Sequence, residues 1–397
     1  MTRQYDAVVA GHICLDIIPD LTTISSTQFR EHLLPGKLLE VGSVTFSTGG
    51  CVANTGLALT KLGIHVRLMG LIGDDPFGRA VLDIVDSHGR HLADGMVVDP
   101  GTDTSYTIIF SPKDTDRFFL HCPGANARFN AGDIRDDDIA QARLFHFGYP
   151  PLLRMMFEQG GAQLVEIFRR AKQLGLTTSL DLAVFDPTSE AGSADWECIL
   201  CDVLPYVDVF LPNIEETLMM LRPATYQELA LMSAGANAVD FVPADLVSDV
   251  GRQVLAMGAK IVGLKLGHRG LYVRTGAESR IADAGLAAPS DPAAWAGKEL
   301  WAPCFRVEVL GTTGAGDSTV AGFLAALLRS ETLERAVTAA VAVGGCNVEA
   351  ADALSGVRTW AETWYRVESG WARHLSSVPG PEWRFDELHR LWVGPAG

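Results

Sequence analysis

Val307-Glu308-Val309-Leu310-Gly311-Thr312-Thr313-Gly314-Ala315-Gly316-Asp317-Ser318-Thr319-Val320-Ala321-Gly322-Phe323 is the stretch on which the reading of this chain turns. It predicts an apolar strand, a glycine turn and an alanine-rich helix from Ala321 to Arg329. Gly314 and Gly316 lack Cβ, so the backbone there can approach a ligand closely. The free N–H groups at the start of a helix, together with its dipole, favour negative charge. Gly314, Ala315 and Gly316 are therefore candidate donors of an anion cradle. Asp317, at the end of the turn, is a candidate general base.

From Gly311 to Ser318 the run nearly spells a P-loop, G-x-x-x-x-G-K-[ST], with Asp317 where the lysine belongs. A P-loop lysine neutralises nucleotide phosphates, whereas an aspartate repels them. The carboxylate is better placed to face an attacking nucleophile. Phosphoryl transfer to a hydroxyl, with Asp317 taking the hydroxyl proton, is the chemistry this order suits. A glycine-rich cap with an acidic first turn is the structural alternative.

Outward from this stretch, apolar runs at Ala7 to Ala10, Val66 to Ile72, Leu144 to Phe147, Thr177 to Leu182, Val207 to Leu211 and Lys260 to Lys265 read as buried strands. Helical patterns at Ala53 to Leu62, Gly78 to Ser87, Gln159 to Leu174 and Ala244 to Met257 lie between them. This alternation predicts an α/β fold with a parallel sheet covered on both faces. Ligands in such sheets bind beyond the carboxyl ends of the strands, where the motif glycines fall. A second glycine turn feeds a helix at Thr48-Gly49-Gly50-Cys51-Val52-Ala53-Asn54, and the first strand leads through Gly11 to Asp16.

These residues carry a resemblance to the ribokinase-like (PfkB) family of carbohydrate and nucleoside kinases. The family's G-G-x-x-x-N motif matches Gly49, Gly50 and Asn54, and its D-T-x-G-A-G-D motif matches Thr312, Gly314, Ala315, Gly316 and Asp317. Asn213-Ile214-Glu215-Glu216 fits N-x-x-E, and Lys265-Leu266-Gly267-His268-Arg269-Gly270 fits K-x-G-x-x-G. The motifs occur in the family's order from Asp6 to about Gly356. The resemblance implies a three-layer α/β/α core with a mostly parallel sheet and a small β-sheet lid. It implies ATP and Mg2+ as cofactors, with Asp317 as base over the cradle of Gly314, Ala315 and Gly316. Asp16, Gly49, Gly50 and Asn54 would hold the acceptor. Lys265, Gly267, Gly270 and Thr312 would lie on the nucleotide side, and Asn213 and Glu216 would hold magnesium through water. Asp181, at the end of its strand, is a weaker addition to that network. Asn126 has two readings, substrate contact or a turn. His121 and His146 read as structural, because the reaction needs no imidazole.

Two positions depart from the family. Gly311 replaces the first aspartate of the C-terminal motif, which in relatives helps bind a monovalent cation, so potassium activation is doubtful. Cys14 stands where ribokinase carries asparagine, which argues against ribose.

The 397 residues, 48% of them hydrophobic, suit one large core with a small appendage. A net charge of −16 argues against nucleic-acid or anionic-membrane partners. No run is long enough to span a membrane, no signal-peptide pattern is seen, and a reducing cytoplasm is the expected setting. Cys198 and Cys201 stand without a second pair and are expected to pack a helix, not to hold zinc. Residues 15–46 and 102–123 are expected to form the lid, the second as a hairpin. The core is taken as 1–356. Insertions fall at 221–243 and 286–303, the second read as a surface loop. Residues 357–397, rich in tryptophan, are expected to form an extension packed on the core, with an interaction surface as the other reading. A homodimer is a candidate state. The expected activity is an ATP-dependent kinase acting on a primary hydroxyl of an uncharged sugar. A nucleoside kinase and a silent sugar- or nucleotide-binding protein are the alternatives.

Overall fold

The computed structural model describes residues 3–115, 117–234, 237–374 and 379–395. The strand Ala7–Gly11 shows how the core is built: Ala7 and Val9 face one apolar cluster, while Val8 and Ala10 face another. Side chains alternate along a strand, so a strand apolar at every position needs cover on both sides. Val209 and Phe210 divide in the same way, as do Ile261 and Val262. Helices Cys51–Lys61, Ala315–Leu328 and Leu333–Asn347 supply one covering layer. Helices Ala162–Gln173, Trp196–Val203 and Ala244–Met257 supply the other. The expected three layers are present.

Among the described residues the main sheet has ten strands. In spatial order they are Arg384–Asp386, Leu391–Val393, Glu299–Ala302, Leu271–Thr275, Ile261–Lys265, Val209–Phe210, Thr177–Asp181, Leu144–Gly148, Ala7–Gly11 and Val66–Met69. Pairings from Val66–Met69 through Ile261–Lys265 are parallel. Beyond Ile261–Lys265 they are antiparallel. The switch occurs at a tight turn, where the N–H of Leu266 donates to the carbonyl of Gly270 at 2.8 Å.

A second sheet, of four strands among the described residues, runs Val44–Gly49, Cys14–Pro19, Tyr106–Phe110, Phe118–Cys122. Its outer pairings are antiparallel and its central one is parallel. The hairpin read from the sequence is present, and the small lid sheet agrees with expectation. Asp16 lies opposite Ser47, and Cys14 opposite Gly49. The lid therefore delivers the acid and the double glycine to the mouth of the main sheet together.

Several local expectations are corrected. Residues 307–310 form no strand; Val309 and Leu310 are exposed and find no partner strand among the described residues. Apolar composition makes a strand only where a pairing edge exists. The helix after the glycine turn begins at Ala315, not Ala321. The run from Val66 to Ile72 breaks at Gly70 into two strands that belong to different sheets. Within 15–46 there is a helix, Ser26–His32, started by a reciprocal cap between Ser25 and Gln28. The supposed loop at 286–303 contains the main-sheet strand Glu299–Ala302 and buries Trp295. Cys198 and Cys201 lie on the exposed side of their helix instead of packing it.

The tail contributes the helix Trp360–Glu368 and both strands at one edge of the main sheet. Trp371 stacks on Phe305 at 4.3 Å, and Trp383 meets Tyr272 and Trp301 edge-on.

Candidate active site

Asp317 is the third residue of the helix Ala315–Leu328, and only 4% of it is exposed. Gly314 caps that helix with φ 71°, a left-handed conformation that glycine adopts without strain. The N–H groups of the first turn thus open beside the carboxylate. Three neutral donors hold Asp317. Asn54 Nδ2 donates to Oδ2 at 3.1 Å, Thr55 Oγ1 to Oδ1 at 3.1 Å, and the Tyr149 hydroxyl reaches both oxygens at 2.8 Å. Together these donors fix the orientation of the carboxylate.

Gly50 brings Asn54 to this place. It caps the helix Cys51–Lys61 with φ 89°, and a Cβ there would lie 2.4 Å from the His12 carbonyl oxygen. Only glycine lets the lid strand turn into the helix this tightly. Gly49 lies against Asp16, whose carboxylate would touch any added Cβ. Asp16 is 9% exposed. Burial pushes its carboxyl up to about 6, while hydrogen bonds from Cys14 and Thr107 and the charge of Arg117 pull the other way. Cys14 Sγ donates to Asp16 Oδ1 at 3.4 Å. His12 is buried beside the rings of His121 and Tyr149.

On the other side of Asp317 lies a buried charge cluster. Lys265 Nζ donates to both oxygens of Asp181 at 2.8 Å. It also lies 3.4 Å from where a Cβ on Gly316 would sit, which sets the ammonium beside the cradle. Burial alone would lower the Lys265 pKa, but Asp181 and Glu216 outweigh it and raise it. Burial raises the Asp181 carboxyl to about 7 against the pull of Lys265, and it raises Glu216 as well. Asn213 and Glu216 cap their helix reciprocally: the Asn213 N–H donates to Glu216 Oε2 at 2.8 Å, and the Glu216 N–H to Asn213 Oδ1 at 2.7 Å. Buried carboxylates with incomplete charge compensation are hard oxygen donors of the kind magnesium accepts, often through water. Among the described residues no group of three or more His, Cys, Asp or Glu forms a metal cage.

The lid hairpin reaches the turn that leads into the cradle: Arg117 Nη2 donates to Thr312 Oγ1 at 3.2 Å. Gly267 and Gly270 shape the turn after Lys265, where a Cβ on Gly270 would strike the Ala302 carbonyl. Asn126 lies against Ile13, where the chain passes from the main sheet into the lid. It is fully buried, and its amide donates to the Ile13 carbonyl at 2.8 Å and accepts from the Ile13 N–H at 3.4 Å. Its side chain thus helps hold the passage from the main sheet to the lid. Gly311, which stands in place of the family's aspartate, packs against the carbonyls of Ala350 and Ala351. His146 pairs with Ser179 inside the sheet.

Sequence reasoning missed Tyr149, Thr55 and the weight of Asp181 against Lys265. The available signal for Tyr149 was its place just after Gly148 at the carboxyl end of a strand, where ligand-facing groups collect.

A family profile described as pfkB family carbohydrate kinase matches residues 6–360. Fructokinase-2 of Oryza sativa subsp. japonica is 27% identical over 173 residues, 43% of this chain and 47% of that enzyme. The chain thus matches about half the length of that relative. Probable fructokinase-5 of Arabidopsis thaliana is 24% identical over 320 residues, 80% of this chain and 81% of the relative. A crystal structure of fructokinase with bound ATP from Xylella fastidiosa superposes with a TM-score of 0.66 at 20% identity, covering 91% of this chain and 98% of that one. Among the described residues no helix is long and apolar enough to cross a membrane.

Proposed function

The chain belongs to the pfkB family of carbohydrate kinases, and on that premise we propose that it transfers the γ-phosphoryl group of ATP to a primary hydroxyl of an uncharged sugar. The observation that carries this reading is Asp317, held by three neutral donors at the opening of a helix whose first N–H groups point the same way. Asp317 takes the proton of the acceptor hydroxyl as its oxygen bonds to the γ-phosphorus, and the bond to the ADP oxygen breaks. The N–H groups of Gly314, Ala315 and Gly316, with Lys265 beside them, balance the charge on the moving group.

Asp16 receives acceptor hydroxyls at the lid, beside Gly49 and Gly50. Asn54 has a second duty, since its amide already orients the base. Asn213, Glu216 and Asp181 are the residues that would hold magnesium bound with ATP, and the ion would neutralise phosphate charge there. The Cys14 thiol offers the acceptor less hydrogen bonding than an amide would, which favours a sugar other than ribose. Fructokinases among the relatives make a hexose the first acceptor to try.

ADP release measured over a panel of free sugars, sugar phosphates and nucleosides tests the proposal. Turnover with at least one free sugar, lost in Asp317→Asn, is expected. No sugar-dependent ADP release, or turnover confined to nucleosides, would overturn it.

A further inference from the structure

Lys61 ends the helix whose first turn carries Asn54, and its Nζ donates to the carbonyls of Leu354 at 2.9 Å and Ser355 at 3.3 Å. Those carbonyls belong to an irregular segment, residues 350–355, that lies directly behind the anion cradle. A Cβ on Gly311 would come within 2.8 Å of the Ala350 and Ala351 carbonyl oxygens, and one on Gly314 within 2.6 Å of that of Ala353. The segment is thus pressed between the cradle and Lys61. Asn347 donates to the Ala353 carbonyl at 2.7 Å. Asp352 folds back to accept from the N–H groups of Leu354 at 2.8 Å and Ser355 at 2.6 Å. Carbonyl oxygens and a carboxylate therefore gather on one short stretch, and Lys61 is the ammonium bonded to it. Burial works against its charge, while Asp352 and Glu362 support it. A cavity of about 380 Å³ lies alongside, lined by Asn54, Lys61, Asp352, Ala353 and Ser355 among others.

We propose that Lys61 is a positioning residue. Its ammonium is a built-in cation that fixes segment 350–355 behind the Gly311–Gly314 turn, and so holds the cradle N–H groups at the angle the transferring phosphoryl group requires. Lys61 touches no reacting atom and acts only through this segment, so the inference rests on the kinase reading above. The Leu354 and Ser355 carbonyl oxygens that accept from the ammonium are ligands a small monovalent cation also takes. Truncating the side chain leaves those oxygens beside a cavity with room for such an ion.

The test compares wild type, Lys61→Ala and Lys61→Arg in a tetramethylammonium buffer, with ammonium or potassium chloride added at constant ionic strength. Wild-type turnover is expected to ignore both salts. Lys61→Ala should lose roughly tenfold or more in kcat, with the acceptor KM little changed, which is the pattern of an interaction needed in the transition state. Ammonium or potassium should restore part of that loss with saturation, and should raise the melting temperature of Lys61→Ala alone. Lys61→Arg should keep most of the activity. Wild-type kcat in Lys61→Ala would overturn the proposal. So would a loss that neither salt relieves and that tracks a fall in melting temperature, since this would make Lys61 a packing residue only. Should wild type phosphorylate no acceptor, the kinase reading fails by itself, and the salt-dependent melting temperatures still decide whether the Lys61 position takes a cation.

Discussion

Replacing Asp16 with asparagine should make the protein more stable and a worse enzyme at the same time. Burial raises the Asp16 carboxyl from 3.8 to about 6. That is about two units, or about 3 kcal/mol at roughly 1.4 kcal/mol per unit. The sign follows from linkage. Below the unfolded value of 3.8 both states hold the proton and no penalty exists. Between 3.8 and about 6 only the unfolded state ionises, so the folded state loses stability as pH rises. Above that window the full penalty of about 3 kcal/mol persists. Asparagine keeps the shape and carries no charge, so Asp16→Asn should gain up to about 3 kcal/mol at pH 8 and nothing at pH 3.5. Thermal unfolding at those two pH values reads the difference directly. Activity should move the opposite way. A hydrogen bond to a charged group contributes about 1.5–3 kcal/mol, so kcat/KM for the acceptor should fall roughly 10- to 150-fold while the ATP KM holds. Wild-type kcat/KM should also drop as pH falls through about 6, a limb the variant lacks. A variant less stable than wild type at pH 8, with an unchanged acceptor KM, would refute both halves of the reasoning.

Three further outcomes are expected. Asp317→Asn should keep the fold and ATP binding but lower kcat by at least roughly 10²-fold, as judged by steady-state turnover and nucleotide titration. Lys265→Met should unfold more easily by about 3–5 kcal/mol in urea titration, because Asp181 is left buried without its cation; unchanged stability would show that the pair contributes nothing net. A free sugar should be preferred to its phosphate, since Asp16 repels a second anion. A preference for the phosphate that disappears in Arg117→Ala would instead mark Arg117 as a substrate clamp.

What the sequence could reveal depended on distance along the chain. The cradle, Asp317 and the Gly49–Asn54 turn each sit within a few residues, where spacing alone fixes the chemistry. The donors that orient Asp317 do not: Tyr149 comes from a separate strand end, and its left-handed φ of 68° leaves no mark on its neighbours. The antiparallel half of the main sheet was hidden for a related reason. Glu299–Ala302 is four residues long and follows an alanine- and proline-rich stretch, so its strand character comes from the neighbours it pairs with. Conversely, Val307 to Leu310 has strand composition and no edge to join. Asn126 had two readings from sequence, substrate contact or a turn, because its bonds to the backbone of Ile13 cross 113 positions of the chain.

The three bonds that orient Asp317 cross 168, 262 and 263 positions of the chain. Contacts this remote form late, because closing long loops costs entropy before any reward arrives. During synthesis the Gly49–Asn54 turn leaves the ribosome long before the residue it must hold, and the last two strands of the main sheet come later still. The clamp on Asp317 therefore closes only once the chain has passed residue 317 and these distant elements have paired, so catalytic competence is expected late in folding.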